Sequence, residues 1–193
     1  LMAEFRVAPA GVDVIVLEKH ADFLRDFRGD TIHPSTLHIM DELGLLDEFL
    51  RLPHHKAYAL SAWIGERQYK VADFSSLPGK GNFIAFMPQW DFLDFIAAHA
   101  RALTNFRLLM NTAGERLLFD GDRVCGLSAT GPDGELTIKA RLVIAADGRS
   151  SPMREDAKLP VEDFGAPMDV LWFKLPRKET DPDESFGRVA PGR

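Results

Sequence analysis

The sequence predicts an α/β fold, on three observations. Two apolar runs each end on an acidic residue: Val14, Ile15, Val16 and Leu17 before Glu18, and Leu142, Val143, Ile144, Ala145 and Ala146 before Asp147. Five consecutive apolar residues fit a strand covered on both faces, and ligands of open α/β sheets sit just beyond the carboxyl ends of such strands. Between the two runs, apolar residues recur twice at helical spacing, over 34–50 and 91–103.

Composition sets the bounds. At 193 residues with 46% hydrophobic side chains, and a mean hydropathy of −0.12, the chain can bury one sizeable core, as one domain or two small lobes. A net charge of −6 and a pI near 5.5, with no dense Lys/Arg stripe, argue against a nucleic-acid backbone as partner. A few local donors would still suffice for a phosphate-rich ligand. Cys125 is the single cysteine, which excludes an intrachain disulfide and a cysteine metal cluster and suits a reducing cytoplasm, the expected location. No apolar stretch is long enough for a membrane span, and the first five residues lack the basic region followed by an apolar one that marks a secretory leader.

In chain order, residues 1–8 read as the last turns of a helix, closed by Pro9 and Gly11 ahead of a strand over 12–17. Residues 19–30 are charged and aperiodic, as a loop. From Pro34, a favoured first helical residue, Leu37, Met40, Leu43, Leu46 and Leu50 recur at three- and four-residue steps. Over 58–87, aromatic and β-branched residues alternate with polar ones and are broken at Ser75, Ser76, Pro78, Gly79 and Gly81, which predicts short antiparallel strands in a second lobe. A second helix runs over 91–103, with Phe92, Phe95, Ile96, His99 and Leu103 on one side. A three-stranded meander follows over 115–119, 123–130 and 135–140, turning at Asp120-Gly121 and at Gly131-Pro132-Asp133-Gly134, and leads into a strand over 141–146. The tail holds one strand-like run, over 169–175.

The two acids have distinct readings. Glu18 ends its strand as the carboxylate does that takes the hydroxyls of an adenosine ribose; in such a βαβ unit the Gly-rich turn lies about 20 residues earlier. That position falls at or just before Leu1, so the sequence is expected to begin after the phosphate-binding loop. Asp147-Gly148 is at its simplest a turn, and the apolar run before it favours a ligand role. His20, His33, His38, His54, His55 and His99 show no metal-ligand spacing beyond the adjacent His54-His55 pair, so no metal is expected. Cys125 reads as a small apolar strand residue, and Trp63, Trp90 and Trp172 as packing residues.

Four features in order carry a family resemblance: Val16-Leu17-Glu18-Lys19; Arg28-Gly29 leading into His33-Pro34-Ser35-Thr36-Leu37 and a helix closing at Leu43-Gly44-Leu45; Met87-Pro88-Gln89-Trp90; and Asp147-Gly148 with Ser150, Ser151 and Arg154. The chain resembles the FAD-dependent aromatic-ring monooxygenases of the para-hydroxybenzoate hydroxylase type, truncated at both ends. The resemblance implies an incomplete FAD/NAD(P)-binding Rossmann-like fold of the glutathione-reductase type, with the three-stranded β-meander and part of an antiparallel substrate-lobe sheet. It divides the chain into FAD-lobe segments over 1–51 and 87–160 and substrate-lobe segments over 52–86 and 161–193.

The same resemblance implies FAD as cofactor, NADH or NADPH as co-substrate, and hydroxylation of a small phenol-like ring with O2. Glu18, with Lys19 beside it, would take the adenosine ribose, and Arg28 would approach the pyrophosphate and ribose, where a guanidinium fork matches phosphate oxygens. Gln89 would bind the ribityl chain or pyrophosphate. Asp147 would face the ribityl hydroxyls, with Gly148 admitting the cofactor to the backbone. Arg154 would support the Asp147 loop or help with the nicotinamide nucleotide. No catalytic residue is identified. The family's first strand, Gly-rich turn and later Gly-Asp motif have no counterpart here, so weak or no FAD retention is expected, and self-association or instability through an exposed sheet edge and apolar face. Two other readings stand beside this one: a non-catalytic flavoprotein remnant or interaction module, and a related flavin reductase or halogenase.

Overall fold

The computed structural model describes residues 2–24, 30–165, 170–171, 175–176, 178–181 and 186–190. They form a mixed α/β chain of two units: Leu1–Phe23 with Ala97–Val170, and Leu24–Ile96 with Leu171–Arg193.

In the first unit, helix α1 (Met2–Val7) tightens into a single 3-10 turn, Ala8–Ala10. Gly11 closes it at φ +82°, the left-handed conformation that glycine adopts without a Cβ penalty. Strand β1 (Val14–Leu17) pairs in parallel with the later strand β7 (Phe106–Leu109), Val14 opposite Phe106 and Leu17 opposite Leu109. Asn105 fastens this pair to the chain ahead of it. Its Nδ2 donates to the carbonyls of Ala8 and Val12, each at 2.7 Å.

The meander forms where the turn residues place it: β8 (Ala113–Asp120), β9 (Arg123–Gly131) and β10 (Gly134–Lys139), antiparallel with β9 central. The short helix α5 (Pro152–Asp156) is docked on it, because the Asp156 carboxylate accepts the Leu117 N–H at 2.8 Å.

The run over 142–146 departs from expectation. It is not a strand: Leu142 is 75% exposed and Ile144 60%. An apolar segment becomes a strand only by finding a hydrogen-bonded neighbour. Among the described residues β1 pairs with β7 alone, and none pairs with 142–146.

In the second unit, β2 (Thr31–Ile32) and β3 (His55–Ala57) flank β6 (Ile84–Phe86), both antiparallel to it. The helical pattern from Pro34 divides in two, α2 (Pro34–Glu42) and α3 (Leu46–Phe49), because Gly44 turns the chain at φ +70°. Pro34 opens α2, with His33 extended before it. Leu37, Met40, Leu46 and Phe49 are all buried, so the apolar spacing marks the core face even though the helix breaks. Helix α4 begins two residues earlier than the spacing suggests, spanning Gln89–Arg101, and the boundary between the units falls inside it.

A second sheet joins β4 (Ala59–Ile64) to β5 (Arg67–Asp73) and, on its other edge, to β11 (Phe186–Val189), parallel to β4. The tail thus contributes a strand at 186–189, where none is expected. Of the run over 169–175, residues 169 and 172–174 lie outside the described residues; Val170, Leu171 and Leu175 are exposed and in no strand.

Strand β5 ends in a side-chain clasp. The Asp73 carboxylate accepts hydrogen bonds from the Ser75 hydroxyl, from the Ser75 N–H at 3.1 Å and from Lys70 Nζ at 2.9 Å. The Ser75 hydroxyl first, then Lys70, pulls the Asp73 carboxyl from 3.8 down to about 2. The folded value is depressed, so the clasp contributes fully above pH 3.8 and is lost as pH falls through about 2. An NMR titration of the Asp73 carboxyl carbon is expected to show its midpoint near 2 in the native chain and a clear rise in Ser75→Ala. A midpoint unmoved by that substitution contradicts the assignment.

Candidate functional site

A cleft of ≈ 640 Å³ opens in the first unit between the meander and the segment around α5. Leu117 and Val124 form its meander wall, Leu142 and Met153 add apolar surface, and Asp147, Gly148 and Arg154 supply polar groups. An apolar trough with a few convergent polar groups is the usual form of a small-molecule site.

Local chemistry holds the polar groups in place. Ser151 is buried as the N-cap of α5 and accepts the Arg154 N–H at 3.0 Å, so its hydroxyl is engaged in capping. Arg154 reaches back to donate from Nη2 to the Arg149 carbonyl at 2.7 Å, which pins the 149–154 loop. Its Nε is buried and has no hydrogen-bond partner among the described residues. Asp147 is exposed, and among the described residues its carboxylate accepts only the Met153 N–H, at 3.4 Å, the outer limit of a hydrogen bond. Its carboxylate therefore retains acceptor capacity for hydroxyl donors. Gly148 sits at φ +91° with open space where a Cβ would project. Glycine is required there by the backbone conformation, and the open side leaves room for a ligand.

Glu18 lies one residue past β1 and continues its ladder, donating its N–H to the Leu109 carbonyl and accepting the Thr112 N–H, both at 2.9 Å. Its Oε1 accepts the His20 N–H at 3.0 Å. Lys19 is exposed. Glu18 and Lys19 do not line the cleft, though the adjacent Leu17 and the cleft residue Met153 both flank Gly114. Gln89 is the half-buried first residue of α4 and belongs to the second unit. Arg28 lies outside the described residues.

Sequence reasoning missed Asp156, Arg123 and Arg141. Asp156 carries no local signal for its bond to Leu117, and the two arginines line the cleft only because β9 and the chain leaving β10 are neighbours. Among the described residues no group of three or more His, Cys, Asp or Glu side chains could hold a metal ion, and no helix is long and apolar enough to cross a membrane.

Residues 1–189 match the family model described as FAD binding domain. The chain belongs to this family. The FAD-binding domain is 30% identical over 169 residues to 6-methylpretetramide 4-monooxygenase of Streptomyces rimosus, covering 86% of this chain and 40% of that protein. In fold it is similar to PqsL, a probable FAD-dependent monooxygenase from Pseudomonas aeruginosa, with TM-score 0.70 and 20% identity over 86% of this chain and 44% of that one. It is also similar to the p-nitrophenol 4-monooxygenase PnpA of Pseudomonas putida DLL-E4, with TM-score 0.61 and 24% identity over 72% of this chain and 36% of that one. The chain thus spans less than half the length of these relatives. Its family is one of FAD-dependent monooxygenases, flavoprotein oxidoreductases for which NAD(P)H is the usual reductant, and the α/β fold agrees with theirs.

Proposed function

We propose that this chain supplies part of an FAD site, and that the whole protein uses NAD(P)H and O2 to hydroxylate a small aromatic, phenol-like substrate. The observation that carries the reading is the exposed Asp147 carboxylate beside left-handed Gly148 at a cleft, within a chain matched to an FAD-binding domain over residues 1–189. Asp147 would accept ribityl hydroxyls, Gly148 would admit the cofactor to the backbone, and Glu18 with Lys19 beside it would take the adenosine ribose. Gln89 and Arg28 would hold the ribityl chain and pyrophosphate. The chemistry supplied by bound FAD is transfer of two electrons from NAD(P)H and activation of O2 for insertion of one oxygen atom into the ring. The residues of this chain bind and orient; Arg154, through Arg149, and Asp156, through Leu117, position the Asp147 loop. The segments over 1–51 and 87–160 form the FAD lobe in this reading, and those over 52–86 and 161–193 the substrate lobe. A cytoplasmic location, consistent with the single Cys125, and self-association belong to the same reading.

An FAD titration of the chain, followed by quenching of flavin fluorescence, tests it. Glu18→Ala and Asp147→Ala are each expected to weaken binding roughly tenfold or more, the loss of a hydrogen bond to a charged group. Glu66→Ala, at the exposed turn between β4 and β5, serves as the control. Affinity unchanged in both site variants refutes the assignment.

A further inference from the structure

We infer that the end of the meander carries a binding site for a phosphate monoester dianion. Where β10 runs out at Lys139, a pocket of ≈ 330 Å³ is lined by Arg123, Lys139 and Arg141, with Asp120, Cys125 and Ala140 completing the wall. The last rung beside it is the Ala140 N–H donating to the Cys125 carbonyl at 2.9 Å, which holds Lys139 and Arg141 on either side of a fixed backbone point. None of the three cationic side chains makes a hydrogen bond or ion pair among the described residues. Three cations therefore face one lining carboxylate, Asp120, in a chain whose net charge is −6.

Converging unpaired like charges repel, and an acidic chain has carboxylates to spare for neutralising them. The local excess of two positive charges matches a phosphate monoester, whose oxygens accept the forked N–H donors of two guanidinium groups and the point charge of an ammonium. The volume suits a phosphate with its attached sugar. Arg123 and Arg141 also line the Asp147 cleft, so the two spaces adjoin, and a nucleoside carrying the phosphate would lie toward the cleft. The same chemistry has two sources, free inorganic phosphate and the 2′-phosphate of NADPH. Only the second rests on the proposed use of a nicotinamide co-substrate.

Isothermal titration of the full chain at low salt decides this with inorganic phosphate, adenosine 2′-phosphate, adenosine, NADPH and NADH. No flavin is required, so failure of the FAD titration leaves this result standing. Inorganic phosphate and adenosine 2′-phosphate are expected to bind saturably and compete, while adenosine does not bind. The double variant Lys139→Ala/Arg141→Ala is expected to lose at least tenfold in affinity at an unchanged melting temperature, and Arg141→Lys to recover part of it. NADPH binding at least tenfold tighter than NADH assigns the site to the dinucleotide, and equal affinities assign it to free phosphate. No saturable phosphate binding, or binding undiminished in the double variant, overturns the inference.

Discussion

Gly126→Ala is expected to destabilise the first unit by about 3 kcal/mol, the sum of an overpacked contact and a strained backbone. Gly126 stands in the central strand β9, opposite Leu118 on one side and Lys139 on the other. Its φ is +155°, and a Cβ built there meets the Ile138 carbonyl oxygen at 2.1 Å and the Lys139 Cα at 3.0 Å. Both obstacles are backbone of the neighbouring strand, so no rotamer relieves the clash, and the β9–β10 ladder has to open. A melting-temperature drop of about 10 °C by circular dichroism, with loss of hydrogen-exchange protection at Ile138, is the expected signature. A change under about 0.5 kcal/mol, the range of neutral surface substitutions, contradicts it. Because Leu117 and Val124 wall the cleft, ligand binding there should weaken in the same variant.

Phe49→Ala is expected to cost the second unit about 4 kcal/mol, the scale of removing a buried phenylalanine ring. Phe49 is 1% exposed, and its ring meets Phe92 edge-on at 5.7 Å and Phe95 at 5.4 Å. Truncation leaves a void between α3 and α4 and also removes two aromatic contacts whose geometry adds to simple burial. Trp63 and Trp90 lie in this unit and the first unit's residues include no tryptophan, so tryptophan fluorescence during urea unfolding reports on it selectively. The midpoint should fall sharply in Phe49→Ala and less in Phe49→Leu. Equal midpoints for the native chain and Phe49→Ala are incompatible with this packing.

What was legible in the sequence followed the range of the interaction responsible. Asp120-Gly121 and the Gly131 to Gly134 segment bend the chain through their own backbone preferences, and Pro34 starts a helix for lack of an N–H, so meander and α2 are where local chemistry puts them. Glu18 was likewise readable as an acid at a strand end. Residues 142–146 were misread because strand status belongs to a pair of segments, and an apolar run cannot say whether a neighbour will be there. β11 was missed for the converse reason: Phe186, Gly187, Arg188 and Val189 have little pattern of their own, and become a strand on the edge of β4.

By itself the sequence determined the meander turns, the start of α2, its buried face, and the acids and glycine from which an FAD site is proposed. Each depends on residues within a few positions of one another. The tertiary structure alone decided that Asp156 fastens α5 to Leu117, that Gly126 admits no side chain beneath Ile138, and that Arg123, Lys139 and Arg141 meet at one pocket. These depend on which strands lie side by side, and a carboxylate, a missing Cβ or a cluster of cations acquires its energy only from the neighbour that the fold delivers.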